Sequence, residues 1–371
     1  MSSTTLLYLT ILIFCFILCS FSQHKVQGTV VFNIVPFIST FAILWYFSFW
    51  CNVGIDLPQY REIYENADFS TLTDDLHMEP GFKFLCASIS SFTTSSFLGI
   101  GIIKTITLVL IFFSLFLLRY KIHLGFAILP YVSYPYFQSF DLIRISLAAS
   151  IILLGYILLL DKKNKIGYVC FALSCVIHYS SVINVPLLLL LLIINKWNSK
   201  YIFPISIVVV LVIVIIAPSI LTSIVAENIY LNKYESYVSS DSSSFGVMQF
   251  FYYIPAFAAL YIVRKEKNRF KEWYIFVAYG FSIALLGYVV GMVTRMYVYF
   301  EYTFMVIVSS VIFALQTRSN PLNIKSKKDT YFLIAAVCLF IFLFKFFMSL
   351  NSFDKMEHIY PYESWSIDDI N

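Results

Sequence analysis

The chain has 371 residues, 60% of them hydrophobic and 12% charged, with a net charge of +4; a soluble domain carries roughly 45–50% apolar and about 25% charged residues. That composition excludes a soluble enzyme, and apolar runs recur so closely that no soluble domain of about 100 residues fits between them. One integral membrane domain over 1–371 is expected, an all-α polytopic bundle of about 12 spans.

Apolar runs bounded by charges place the spans near 5–21, 29–50, 100–118, 124–140, 143–160, 166–180, 182–195, 201–218, 247–263, 274–293, 297–316 and 331–349. The first run, Thr5 to Phe21, has the length of a signal peptide. Met1 to Thr4 carry no Lys or Arg and no small-residue cleavage site follows, so it reads as an uncleaved span. Spans near 166–180 and 182–195 are shorter than the roughly 20 residues that cross a bilayer, which suits a pair reaching a water-filled cavity.

Lys and Arg set the orientation. With alternate loops assigned to alternate faces, Lys25, Arg119, Lys121, Lys162, Lys163, Lys165, Lys196, Lys200, the Arg264–Lys271 cluster and the Arg318–Lys328 cluster fall on one side. That side holds 17 basic and 4 acidic residues, 17 − 4 = +13, and the remainder holds 8 basic and 17 acidic, 8 − 17 = −9. The basic face is cytoplasmic by the positive-inside rule. The partition requires that 83–118 cross once, so 83–99 lies along the outer surface or re-enters, and both termini are outside. An extracytoplasmic loop and short-helix region at 51–99, the loop 219–246 and the tail 350–371 then share one compartment.

The residues able to carry chemistry gather there. Asp56 can cap a short helix with Pro58 in its first turn, which puts Asp56, Tyr60 and Tyr64 on one face. Carboxylates beside flat aromatic rings suit a saccharide, and Glu79 in Glu79-Pro80-Gly81-Phe82 adds another carboxylate; an interfacial amphipathic helix with aromatic anchors is the plainer alternative. Arg144 opens the run Ile145–Leu160, and an arginine at the mouth of a span needs a partner or a route to the interface. Pairing with Asp141 three residues earlier would make it an anchor. Arg295 repeats the arrangement, followed by Tyr299 and Tyr302 on one helical face. Two such guanidinium forks could clamp a diphosphate. His178, between the two short spans, suits either packing or proton transfer. Tyr230, Lys233, Tyr234, Glu235 and Tyr237 in loop 219–246 make a saccharide surface or a solvated loop.

Other chemistries find no support. His24, His77, His123 and His358 show no metal-ligand spacing, so no metal site is expected. Nor is there a phosphate-binding glycine loop or a nucleophile elbow, and no cofactor or nucleic-acid partner is expected. The seven cysteines, Cys15, Cys19, Cys51, Cys86, Cys170, Cys175 and Cys338, lie mostly inside apolar runs and read as filler, with Cys51 and Cys86 the pair that shares a face.

Taken in order, the Asp56–Tyr64 stretch, Glu79-Pro80-Gly81-Phe82, Asp141-Leu142-Ile143-Arg144-Ile145-Ser146-Leu147-Ala148 and Ile177-His178-Tyr179-Ser180-Ser181 resemble the EpsG family of Wzy-like polysaccharide polymerases. The similarity runs from about residue 50 to 190 and on through Thr294-Arg295-Met296-Tyr297 to the tyrosine-rich tail. This chain departs from the family pattern at Ile145, where a Gln is common, and at Tyr179, which separates His178 from Ser180. The resemblance implies a reaction at the outer face of the bacterial cytoplasmic membrane, in exopolysaccharide, capsule or O-antigen synthesis. The growing glycan would move from undecaprenyl diphosphate onto the next lipid-linked repeat, with a chain-length regulator and a flippase as candidate protein partners and no metal or nucleotide sugar. On that reading Arg144 and Arg295 bind the diphosphate, His178 or Asp56 transfers the proton, and Tyr60, Tyr64 and Glu79 bind sugar. A ligase of similar topology is the neighbouring enzyme reading. A flippase of lipid-linked sugars is the alternative of another class, and it predicts mid-membrane charges that this chain lacks, since Lys104, Glu301 and Lys345 lie near span ends.

Overall fold

The structure is a computed structural model that describes residues 3–26, 29–71, 78–160, 164–194, 208, 212, 253–262, 267–287, 296–317, 327–355 and 359–365. It divides into two compact units, Met1–Ser181 with Phe342–Asn371, and Val182–Ile341. Among the described residues five helices are long and apolar enough to cross a membrane: Ser3–Phe21, Ser96–Leu118, Ile143–Leu160, Val298–Gln316 and Tyr331–Leu350. The chain is therefore a helical membrane protein. The expected span 201–218, the loop 219–246 and Arg295 lie outside the described residues.

In the first unit, α1 (Ser3–Phe21) is followed by a short antiparallel hairpin of β1 (Gln23–Val26) and β2 (Thr29–Phe32), then α2 (Ile34–Phe49). The hairpin corrects the all-α expectation and the reading of 29–50 as one span. The β-branched run Thr29-Val30-Val31 pairs with Gln23–Val26, and Asn33 then caps α2 by accepting the Val35 N–H. With 16 residues, α2 is about 24 Å long, short of the roughly 30 Å hydrocarbon core.

The region 51–99 folds as a loop, α3 (Leu57–Glu65), a short 3-10 turn, and α4 (Pro80–Ser90), before α5 (Ser96–Leu118) begins. At 11 residues α4 spans about 16 Å and cannot cross the bilayer, in keeping with a segment that lies flat or re-enters. The expected span 124–140 is broken into α6 (Leu124–Ser133) and α7 (Pro135–Gln138), because Pro135 has no N–H to continue the ladder and disfavours the helical conformation at Tyr134. Then come α8 (Ile143–Leu160) and α9 (Asn164–Ile177), which pack along one another, with α8 also lying against α5.

A strap closes one end of this unit. Residues 359–365 return from the last helix, Lys327–Lys355, to the start of α1 and the end of α2. The Tyr8 hydroxyl donates to the Ile359 carbonyl at 2.5 Å, Asn52 N–H to Glu363 O at 2.9 Å, and Trp365 N–H to Trp50 O at 3.0 Å. The ring of Trp365 lies 3.9 Å beneath the Arg61 guanidinium of α3. The N-terminal end of α1, the C-terminal end of α2, α3 and the tail therefore share one end of the unit. Lys104 of α5, 3% exposed, meets that end by donating to the Cys51 carbonyl at 3.4 Å.

The second unit contains the helix Asn184–Ile194, with Tyr253–Ile262, Lys267–Leu286 and Val298–Thr317 packed together. Its interior is aromatic: Tyr253 stands edge-on to Phe304 at 4.9 Å, and Tyr299 and Tyr302 are both fully buried.

Candidate functional site

Three sequence-distant segments meet at the strapped end of the first unit. Glu79 sits at the N-cap of α4 with Pro80 in the first turn, and its carbonyl accepts the Lys83 N–H at 3.1 Å. The following Gly81 allows α4 to touch the end of α9: a Cβ there would lie 2.8 Å from the Val176 backbone. His178 immediately follows α9. Its N–H donates to Ser174 O at 2.8 Å, and its carbonyl accepts the Ser181 N–H at 3.0 Å and the Ser181 hydroxyl. Arg144 opens α8.

These placements bring one carboxylate between two basic side chains. Glu79 Oε2 accepts from Arg144 Nη1 at 2.7 Å, and Glu79 Oε1 lies 2.5 Å from His178 Nδ1. Glu79 is 3% exposed, His178 9%, and the Arg144 side chain 18%. Burial acts to raise the Glu79 pKa, but the His178 hydrogen bond and charge together with Arg144 outweigh it and pull the carboxyl down to about 2. Removing one partner from such a buried pair costs about 3–5 kcal/mol.

Arg144 is held on other sides as well. Nη1 lies 3.1 Å from Met78 Sδ, and the guanidinium faces the ring of Tyr60 at 5.4 Å and that of Phe82 at 5.9 Å. Its Nε is buried with no hydrogen-bond partner among the described residues. Burial raises the Tyr60 phenol, while the adjacent Arg144 charge acts against that rise.

The remaining expected residues are sorted by the fold. Tyr60 belongs to the cluster through Arg144. Tyr64, one turn further along α3, is turned away from it: its ring lies against Gly99 and its hydroxyl donates to the Thr93 carbonyl at 2.6 Å. Asp56 occupies the N-cap position of α3, yet its side chain makes no capping bond. Instead its backbone N–H donates to Asp141 Oδ1 at 2.8 Å, and Gly54, at φ +127°, presents the face where a Cβ would meet that same carboxylate oxygen at 3.0 Å. Asp141 thus anchors the loop that launches α3, while Arg144 reaches across to Glu79. Two contributors, Met78 and Ser181, carry no motif that singles them out. Ser181 pins the His178 backbone; a Ser in a short turn after a helix end is the available signal.

Cys51 and Cys86 are both free thiols, and burial raises both, Cys86 to about 12. Among the described residues no group of His, Cys, Asp and Glu could hold a metal.

A helical membrane protein with a buried Arg–Glu–His cluster at the end where the short helices α3 and α4 lie is the class that fold and site define. The family model of EpsG matches residues 30–364, nearly the whole chain, and the chain belongs to the EpsG family, a family of Wzy-like polymerases. It is accordingly a membrane protein of polysaccharide biosynthesis. No curated protein and no solved structure matches it.

Proposed function

We propose that this protein polymerises lipid-linked oligosaccharide repeats at the outer face of the bacterial cytoplasmic membrane, within a bundle of about 12 spans. The observation that carries the reading is the meeting of Arg144 and His178, a cation and a proton carrier, around one buried carboxylate at a single end of the unit. In the reaction, the hydroxyl of the non-reducing sugar of the incoming repeat attacks the anomeric carbon of the growing chain. The bond from that carbon to undecaprenyl diphosphate breaks, and the hydroxyl proton leaves to a base.

Arg144 holds the departing diphosphate, with Arg295 as the second cation. The buried Nε of Arg144, which has no hydrogen-bond partner among the described residues, supports a ligand role, since such a donor is costly unless something arrives to accept from it. His178, which lies against Glu79 beside Arg144, takes the proton, with Asp56 as the second candidate. Tyr60, whose ring lies against Arg144, is the aromatic for the sugar; Tyr64 is engaged elsewhere.

The test is genetic. Arg144→Ala, Arg295→Ala and His178→Ala are each expected to abolish polymer while single lipid-linked repeats accumulate and protein levels stay unchanged. Normal polymer lengths in the Arg144 and His178 variants would overturn the assignment.

A further inference from the structure

We infer that Glu79 is the positioning residue of this site: its carboxylate sets His178 in the Nδ1–H tautomer, leaving Nε2 as the proton acceptor, while the other oxygen holds Arg144. The inference rests on the proposed polymerase reading and assigns to Glu79 a role other than sugar binding.

An ionised carboxylate can only accept hydrogen bonds. Oε1 lies 2.5 Å from Nδ1, so the ring nitrogen must donate, and a neutral imidazole that donates from Nδ1 keeps its lone pair on Nε2. The carboxyl is ionised, since the His178 hydrogen bond and the Arg144 charge outweigh burial and hold it well below the usual carboxylate range. The same logic places a buried carboxylate behind the histidine in hydrolytic triads, where the acid orients the imidazole without itself taking the proton. Here the acid has a second task. Oε2 receives Nη1 of Arg144 at 2.7 Å, so one side chain fixes the spacing between the group that takes a proton and the group that receives the leaving diphosphate.

The backbone around all three is built to keep this arrangement. Glu79 starts α4 with Pro80 next to it, Gly81 seats that start against Val176, and Ser181 grips the His178 carbonyl. A shift of α4 would move Oε1 and Oε2 together, so both partners would lose register at once. Among the described residues, the two salt bridges at this site are both to Glu79.

The test uses full-length protein in liposomes with undecaprenyl-diphosphate-linked repeats taken from cells lacking the polymerase. Glu79→Gln keeps the shape but puts an amide N–H₂ opposite one of two donors. It is expected to lower polymer formation by about 100-fold or more, to the level of His178→Ala. Glu79→Asp should recover part of the activity, and Glu79→Gln combined with His178→Ala should be no worse than His178→Ala alone. A purely structural role would not alter the tautomer, so ¹⁵N-histidine spectra supply the second readout, with the His178 signals identified by their loss in His178→Ala. Nδ1–H in the wild type and a move toward Nε2–H in Glu79→Gln are expected. A wild-type Nε2–H tautomer, an unchanged tautomer in Glu79→Gln, or full polymerisation by Glu79→Gln would each overturn the inference. If Arg144→Ala and His178→Ala also polymerise normally, the polymerase reading itself falls; if only Glu79→Gln does, the positioning role falls alone.

Discussion

Arg144 and Arg119 are the same residue type near opposite ends of one unit, and their surroundings differ. Arg119 follows α5, donates from Nη1 to Phe116 O at 2.7 Å, and lies over the rings of Phe116 at 3.9 Å and Tyr120 at 4.7 Å. Those partners are within three residues of it, and the ring of Phe32 in β2 adds a more distant one at 5.8 Å. Near it Gln23 completes the turn after α5, donating to the carbonyls of Arg119 and Ile122 and accepting the Leu124 N–H at 2.8 Å. That end is closed by uncharged hydrogen bonds that satisfy a helix terminus. Arg144 instead pairs with a carboxylate 65 residues away, which in turn reaches a histidine 99 residues away. Neutral hydrogen bonds and ring contacts finish a fold, whereas a buried charge assembly drawn from three segments is costly to build and is a mark of function.

The most direct challenge to this contrast is to truncate both arginines. Arg144→Ala is expected to lower polymer formation by about 100-fold or more, and Arg119→Ala to leave it within about twofold. Equal losses would mean that Arg144 is merely another helix anchor. Less severe is Gly81→Ala, whose Cβ would have to displace the Val176 backbone and carry α4 away from α9. A loss of about 1–3 kcal/mol in thermal stability in detergent is expected, with a polymer defect larger than Gln23→Ala shows at similar stability. If the two variants fall on one line of activity against stability, the seating of α4 has no special bearing on the site. Mildest is Tyr64→Phe, which removes the bond to Thr93; about 1 kcal/mol of stability should go and polymer should persist. A stronger polymer defect in Tyr64→Phe than in Tyr60→Phe would return Tyr64 to the sugar-binding face.

Part of the site is legible in the residues alone. Asp56, Glu79, Arg144, His178 and Arg295 are expected in one compartment from the charge partition, and the first four belong to segments that the fold gathers in the first unit. Their division of labour is not legible. Tyr60 and Tyr64 are four residues apart on one helical face, and the turn of α3 against α5 alone decides that Tyr60 meets Arg144 while Tyr64 meets Gly99. Glu79 offers a carboxylate, and nothing in its sequence neighbours shows that both oxygens are engaged. The hairpin at 23–32 is hidden by apolar content, since Val30, Val31 and Phe32 suit a span as well as a strand.

Hydropathy and charge are properties of short stretches, each set by transfer between water and lipid, and they add along the chain almost independently. Membrane residence and the placement of most described helices can therefore be read residue by residue. The Glu79–Arg144–His178 cluster depends on how α4, α8 and α9 approach one another to within tenths of an ångström. That approach is decided by packing over the whole unit, where small residues such as Gly81 matter for the contact they permit and carry no signal of their own.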